Sequence, residues 1–135
     1  MINYLHVLVA GLAAFTVGYV WYGPLFGKAW IKEVGFTEAE MAEGKKKGMM
    51  GTMLMGLTAV LVMTYALAWL LSALSVDSLT GGLQLAAGLW LGFVGSVAFM
   101  NKLFGKNKST KLFLIDSLHY LAAMLVMAAI LTLWK

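Results

Sequence analysis

The stretch from Gly48 to Val76, GMMGTMLMGLTAVLVMTYALAWLLSALSV, runs for 29 positions without a charged residue. A helix needs about 20 such residues to cross the hydrocarbon of a bilayer. Backbone amides in lipid must find partners within their own segment, so the run predicts a membrane-crossing helix, long or tilted. Three more segments have the same character. Tyr4 to Tyr22 holds no charge and one histidine, His6; Ser78 to Asn101 holds no charge; Leu112 to Trp134 holds only Asp116 and His119 among apolar residues. A β-barrel would instead show segments of about ten alternating residues, and none is present.

Composition agrees. The chain has 135 residues, 61% of them hydrophobic and 12% charged. Soluble domains average about 45–50% apolar and about 25% charged residues, and disorder requires low hydrophobicity with high charge. Both alternatives are excluded. The absence of cysteine removes disulfides, iron–sulfur clusters, thiolate zinc sites and thiol nucleophiles. Residues 1–5 carry no lysine, so the first run reads as an uncleaved helix and not as a signal peptide. The expected architecture is an all-α, up-and-down four-helix transmembrane bundle. Residues 1–135 form a single domain with spans at about 3–22, 49–75, 79–101 and 111–134 and one long connection over 23–48.

The cations set an orientation. All ten are lysine, giving a net charge of +4. The first connection holds Lys28, Lys32, Lys45, Lys46 and Lys47; the third holds Lys102, Lys106, Lys108 and Lys111; only Lys135 lies opposite. Positive residues accumulate on the cytoplasmic side, so both connections are expected inside and both termini outside, in a bacterial plasma membrane. The same placement explains the charge without nucleic acid. Trp21, Tyr22 and Trp30 fall near the inner interface and Tyr4, Trp69 and Trp134 near the outer one, as anchoring aromatics do.

The long connection carries its own helix signals. Pro24 suits a first helical turn and Gly35 a C-terminus. Between them Leu25, Phe26, Trp30, Ile31 and Val34 gather on one side, which predicts a short amphipathic helix on the membrane surface. Thr37-Glu-Ala-Glu40 is a capping-box pattern, predicting a second short helix to about Glu43 with a break at Gly44. The Lys45–Lys47 triplet fits topology and attraction to anionic lipid, with a protein docking patch as the alternative.

The ten residues Trp21-Tyr22-Gly23-Pro24-Leu25-Phe26-Gly27-Lys28-Ala29-Trp30 follow an apolar helix and precede the Gly-Phe-Thr-Glu-Ala-Glu turn. This arrangement, together with the stretch from Ile115-Asp116 through Trp134, resembles the small bacterial membrane proteins catalogued as domain of unknown function 1761. The resemblance implies a four-helix integral membrane protein and carries with it no activity and no catalytic residue.

Asp116 is the most informative position. An ionisable residue within a span costs about 2.5 kcal/mol or more at mid-bilayer, and such residues face the bundle or a watery cavity. His119 at i+3 and Tyr120 at i+4 are expected on the same face. They could form a proton-handling or polar ligand site; alternatively Asp116 bonds Lys102, Asn101 or Tyr22 as interhelical glue. His6 and His119 should differ in depth by about 15 Å at 1.5 Å per residue, which speaks against a shared haem. Met49, Met50, Met53, Met55 and Met63 lack the cysteine or histidine that would support a Cu(I) site, so they read as packing or lipid-facing residues. No catalytic triad, phosphate loop or metalloprotease motif is present. No cofactor is expected.

Small residues predict close helix contacts: Gly88-xxx-Gly92-xxx-Ser96 on the third span, Gly56 after Thr52 on the second, Gly11 and Gly18 on the first. They fit internal packing and a homodimer face equally. The leading functional expectation is a non-enzymatic, homo-oligomeric or accessory membrane component with a polar site near Asp116, whose partners are the bilayer and a second membrane protein. A small oligomeric transporter or channel using Asp116 and His119 is the alternative, and an intramembrane enzyme the third.

Overall fold

The computed structural model describes residues 2–134, and among them every regular element is helical. Four helices are long and apolar enough to cross a membrane: Tyr4–Leu25, Met50–Ala73, Leu79–Phe104 and Thr110–Leu133. The first comprises α1 (Tyr4–Val20) and a π-helical turn, Trp21–Leu25. Short helices α2 (Gly27–Val34) and α3 (Glu38–Lys47) follow. The second span is α4 (Met50–Ala73). The third is α5 (Leu79–Leu89), a second π turn at Trp90–Gly95, and α6 (Ser96–Phe104). The fourth is α7 (Thr110–Leu133).

Local chemistry explains the helix starts. Asn3, Ser78 and Ser109 each turn a side-chain oxygen to the free backbone N–H groups of the helix that follows, which satisfies donors that have no partner in the first turn. Thr37 and Glu40 form both halves of the capping box.

Three boundaries differ from the sequence expectation. Pro24 does not open a new helix; it lies inside the π turn that ends the first span, so that span continues to Leu25. The wider turn, closed by the Phe26 N–H donating to the Trp21 carbonyl at 2.8 Å, accommodates a residue with no N–H of its own. Gly27 then passes so close to the Tyr22 carbonyl that a β-carbon there would lie 2.5 Å from the oxygen. Gly44 does not break α3, which runs on to Lys47 and stops at Gly48, where φ is +79°. A glycine costs about 1 kcal/mol in a helix interior. The capping box, Glu38 and Glu40 at the positive end and three lysines at the negative end offset it. The third span reaches Phe104, past the expected end at Asn101. Gly35 ends α2 in the left-handed conformation, φ +90°, as expected of a C-terminal glycine.

α7 packs against every other span, with its most extensive contacts to α1 and α5, and α4 packs chiefly on α1. The core joins Ala14, Leu67, Leu71, Ala86, Ala123, Met124, Met127 and Ala128. Alanine lets backbones approach, and Met127, fully buried, fills the space left between them. The buried hydroxyls of Thr64, Ser117 and Thr132 each donate to a carbonyl one turn back in their own helix, at 2.6–2.8 Å, so none is left unsatisfied.

The glycines divide sharply. Gly11 lies against Leu61 and Thr64, Gly56 faces Phe15, Gly18 faces His119, and Gly82 faces Thr132 and Ala128. A β-carbon at Gly88 or Gly92 would meet nothing within 4 Å, and Ser96 is exposed, its hydroxyl returned to the Gly92 carbonyl at 2.7 Å. Of the two readings of this stripe, internal packing therefore finds no partner for it among the described residues. Gly82 and Ala86, one turn apart, make the internal contact on another face of the same helix. Met49, Met50 and Met55 are exposed, whereas Met63 packs against the core.

Candidate functional site

Both π turns begin with a tryptophan, and both tryptophans reach the same stretch of α7. The Trp21 indole N–H donates to the Ile115 carbonyl at 2.9 Å, and the Trp90 indole N–H to the Ser117 carbonyl at 2.6 Å. These two carbonyls flank Asp116. Each carbonyl has a second lone pair beyond its helical bond, so the indoles fasten α1 and α5 to α7 without breaking it. Such turns often sit at functional sites. Here they fix the backbone of the one acidic residue inside a span.

Asp116 itself is half-buried, and Oδ1 accepts a 2.6 Å hydrogen bond from the Tyr22 hydroxyl. Of the interhelical partners anticipated for Asp116, Tyr22 is the one that bonds it. Asn101 and Lys102 stand nearby in the wall of a cavity of about 600 Å³ that also takes in Trp30, Ala98, Tyr120 and Asp116. The cavity lies between α2, α6, α7 and the first π turn, at the end of the bundle where the lysine-bearing connections meet. Tyr22 meets Trp30 edge to face, 5.5 Å between ring centres. Trp21, Tyr22 and Trp30 are thus partly buried among one another and α7, whereas Tyr4 and Trp69 are among the exposed aromatics.

The expected face of Asp116, His119 and Tyr120 is split. At 3.6 residues per turn, positions i+3 and i+4 lie about 100° apart and fall on either side of position i. Tyr120 turns toward the cavity with Asp116. His119 turns toward α1, with its ring against Gly18 and ring centres 5.0 Å from Tyr22, 6.2 Å from Trp21 and 4.9 Å from Tyr120. Its Nδ1 is buried with no protein partner among the described residues. Gly18 makes room for the ring: a β-carbon there would lie 2.9 Å from Nε2.

A latch that sequence reasoning missed closes one side of the cavity. The Asn107 side-chain amide donates to the Glu33 carbonyl, and the Ser109 hydroxyl to Glu33 Oε2, both at 2.7 Å. These bonds tie the end of α2 to the turn before α7. They hold α2, and with it Trp30, against the cavity mouth. They join residues 74 and 76 positions apart, and no local pattern announces such a pairing.

His6 lies at the other end of α7, stacked on Trp134 at 4.2 Å. It lines a second cavity of about 470 Å³ with Asn3, Ser72, Asp77 and Thr132. His6 and His119 therefore occupy different ends of the bundle. Among the described residues no group of three or more His, Cys, Asp or Glu could hold a metal ion.

No curated protein and no solved structure matches the chain. The family model for the protein of unknown function DUF1761 matches residues 5–132, nearly the whole length and including every residue of the Asp116 cavity; the chain belongs to that family.

Proposed function

We propose that this protein is a non-enzymatic, multi-pass component of a bacterial plasma membrane that binds a small polar ligand in the cavity at Asp116. The observation that carries the reading is the carboxylate itself. It lies within a span, costs free energy to place there, is held by Tyr22, and opens into a cavity of about 600 Å³. Ligand sites have this size and this mix of aromatic walls with a few converging polar groups.

The proposed arrangement is an up-and-down bundle with the lysine-rich connections in the cytoplasm and both termini outside. The contact registers support antiparallel neighbours: Tyr4 meets Tyr65 while Phe15 meets Gly56, and His6 meets Trp134 while Trp21 meets Ile115. Nine lysines on one side support the orientation; Lys135, on the other, lies outside the described residues. In this arrangement α2 lies on the inner membrane surface as an amphipathic helix. The open face at Gly88, Gly92 and Ser96 suits a second copy or another membrane protein.

Gentle extraction from the native membrane followed by native mass spectrometry tests the reading. The wild-type chain is expected to retain a small molecule, and Asp116→Asn to lose it while keeping its helical content and elution volume. A variant that retains the same molecule at the same occupancy removes Asp116 from the site; one that no longer assembles makes Asp116 structural glue. One observation favours transport as a second reading: the cavity at His6 and Asp77 lies at the opposite end of the first and fourth spans, which both cavities share. Proteoliposome flux abolished by Asp116→Asn would select it.

A further inference from the structure

The Asp116 cavity contains two opposite charges that do not neutralise each other. Tyr22 occupies Asp116 Oδ1, and Oδ2 has no protein partner among the described residues. Lys102, half-buried in the same wall, makes no hydrogen bond or ion pair there either, although Lys108 close by does bond a carbonyl, that of Leu103. Two opposite unit charges about 4 Å apart attract strongly near a protein surface, yet these two groups do not pair. Here the cavity stands between the two groups. Trp30, Tyr22 and Tyr120 add aromatic surface to the same walls, and ring faces attract cations. Asn101 supplies both a donor and an acceptor.

Resting on the ligand-binding reading above, we infer that the ligand is a zwitterion, with an ammonium group held by Asp116 and the aromatic walls and a phosphate or carboxylate held by Lys102. A ligand of one sign would leave the other charge uncompensated; a zwitterion satisfies both in one step. Two sources share this chemistry. One is the headgroup of an aminophospholipid entering from the bilayer, and the other is a water-soluble amine phosphate or amino acid.

The purified full chain in neutral detergent is titrated with phosphatidylethanolamine, with phosphatidylglycerol, which has the phosphate and chains but no amine, and with phosphorylethanolamine, which has both charges but no chains. Phosphatidylethanolamine or phosphorylethanolamine is expected to bind about tenfold or more tightly than phosphatidylglycerol. Asp116→Asn and Lys102→Gln are each expected to weaken that binding about tenfold, the range of one charge-assisted hydrogen bond. Ala98→Phe, which fills the cavity and keeps both charges, does the same and covers the case in which Asp116→Asn fails to fold. The tighter of the two amine probes identifies the source. Equal binding of phosphatidylglycerol and phosphatidylethanolamine, or binding that needs Lys102 but not Asp116, overturns the zwitterion and leaves the cavity as a site. Absence of binding by every probe also overturns it, and the molecule retained in the native extraction then decides the cavity separately. Binding indifferent to all three variants overturns the cavity as a ligand site altogether.

Discussion

Gly82→Leu is expected to destabilise the bundle by about 2–3 kcal/mol, the cost of overfilling a packed interface. Apolar helices gain little from leaving lipid for one another, so close packing carries their association. At Gly82 that packing is tight: a β-carbon would stand 2.6 Å from Thr132 Cγ2 and 3.5 Å from the Ala128 carbonyl. Thr132 has little freedom to yield. It is buried, β-branched, and bonded through Oγ1 to that same carbonyl at 2.8 Å. α5 must therefore move off α7, and the Trp90–Ser117 bond further along the contact is strained with it. Gly88→Leu on the open face is the control, expected not to destabilise and to gain up to about 1 kcal/mol from removing a glycine within the helix. Unfolding in mixed micelles, followed by circular dichroism, gives both values. Equal effects at the two positions would mean that α5 does not meet α7 in this register. If the open face joins two copies, Gly88→Leu should dissociate them without destabilising either.

Tyr22→Phe is expected to cost about 1.5–2 kcal/mol, the lower part of the range for a hydrogen bond to a charged group. The phenyl ring is kept, so packing on Trp30 and His119 is retained and the loss isolates the hydroxyl. Its 2.6 Å bond to Asp116 joins the first span to the fourth in a half-buried setting. With the donor gone, the carboxylate keeps no protein partner among the described residues. Tyr65→Phe, at an exposed tyrosine whose ring stacks on Tyr4, should change little. The double variant with Asp116→Asn should show coupling of about 1–2 kcal/mol, as contacting residues do. Additive single effects would mean that the two side chains do not interact.

The four spans were legible because a bilayer imposes a length and a composition that uncharged runs of more than 20 residues reveal directly. The capping box at Thr37 and the glycine at position 35 were legible because their rules are local. Asp116 stood out because a carboxylate in a span is rare, and Tyr22 was among its anticipated partners. What remained hidden depends on rotation and on distant contacts. Gly88 and Gly82 sit in similar small-residue patterns, and sequence does not say which face of the helix meets α7. His119 and Tyr120 are adjacent in sequence and diverge by about 100° around the helix, so only one of them reaches the cavity. Pro24 ends a span through a π turn, a conformation with no recognisable local signature. The Glu33 latch links residues 74 and 76 positions apart. A sequence pattern cannot foresee it.

The most direct test of the proposed placement, an open Asp116 cavity at the lysine-rich end with that end in the cytoplasm, is thiol labelling. The chain has no cysteine, so each introduced one is the sole reactive thiol. Ala98 lines the Asp116 cavity and Phe93, on the same span, is 70% exposed on the outer surface of the bundle. With a membrane-impermeant maleimide, Ala98→Cys is predicted to react in inverted membrane vesicles and not in intact cells, and Phe93→Cys to react in neither. Reaction of Ala98→Cys from the outside of intact cells, or its silence in both preparations, would contradict the account.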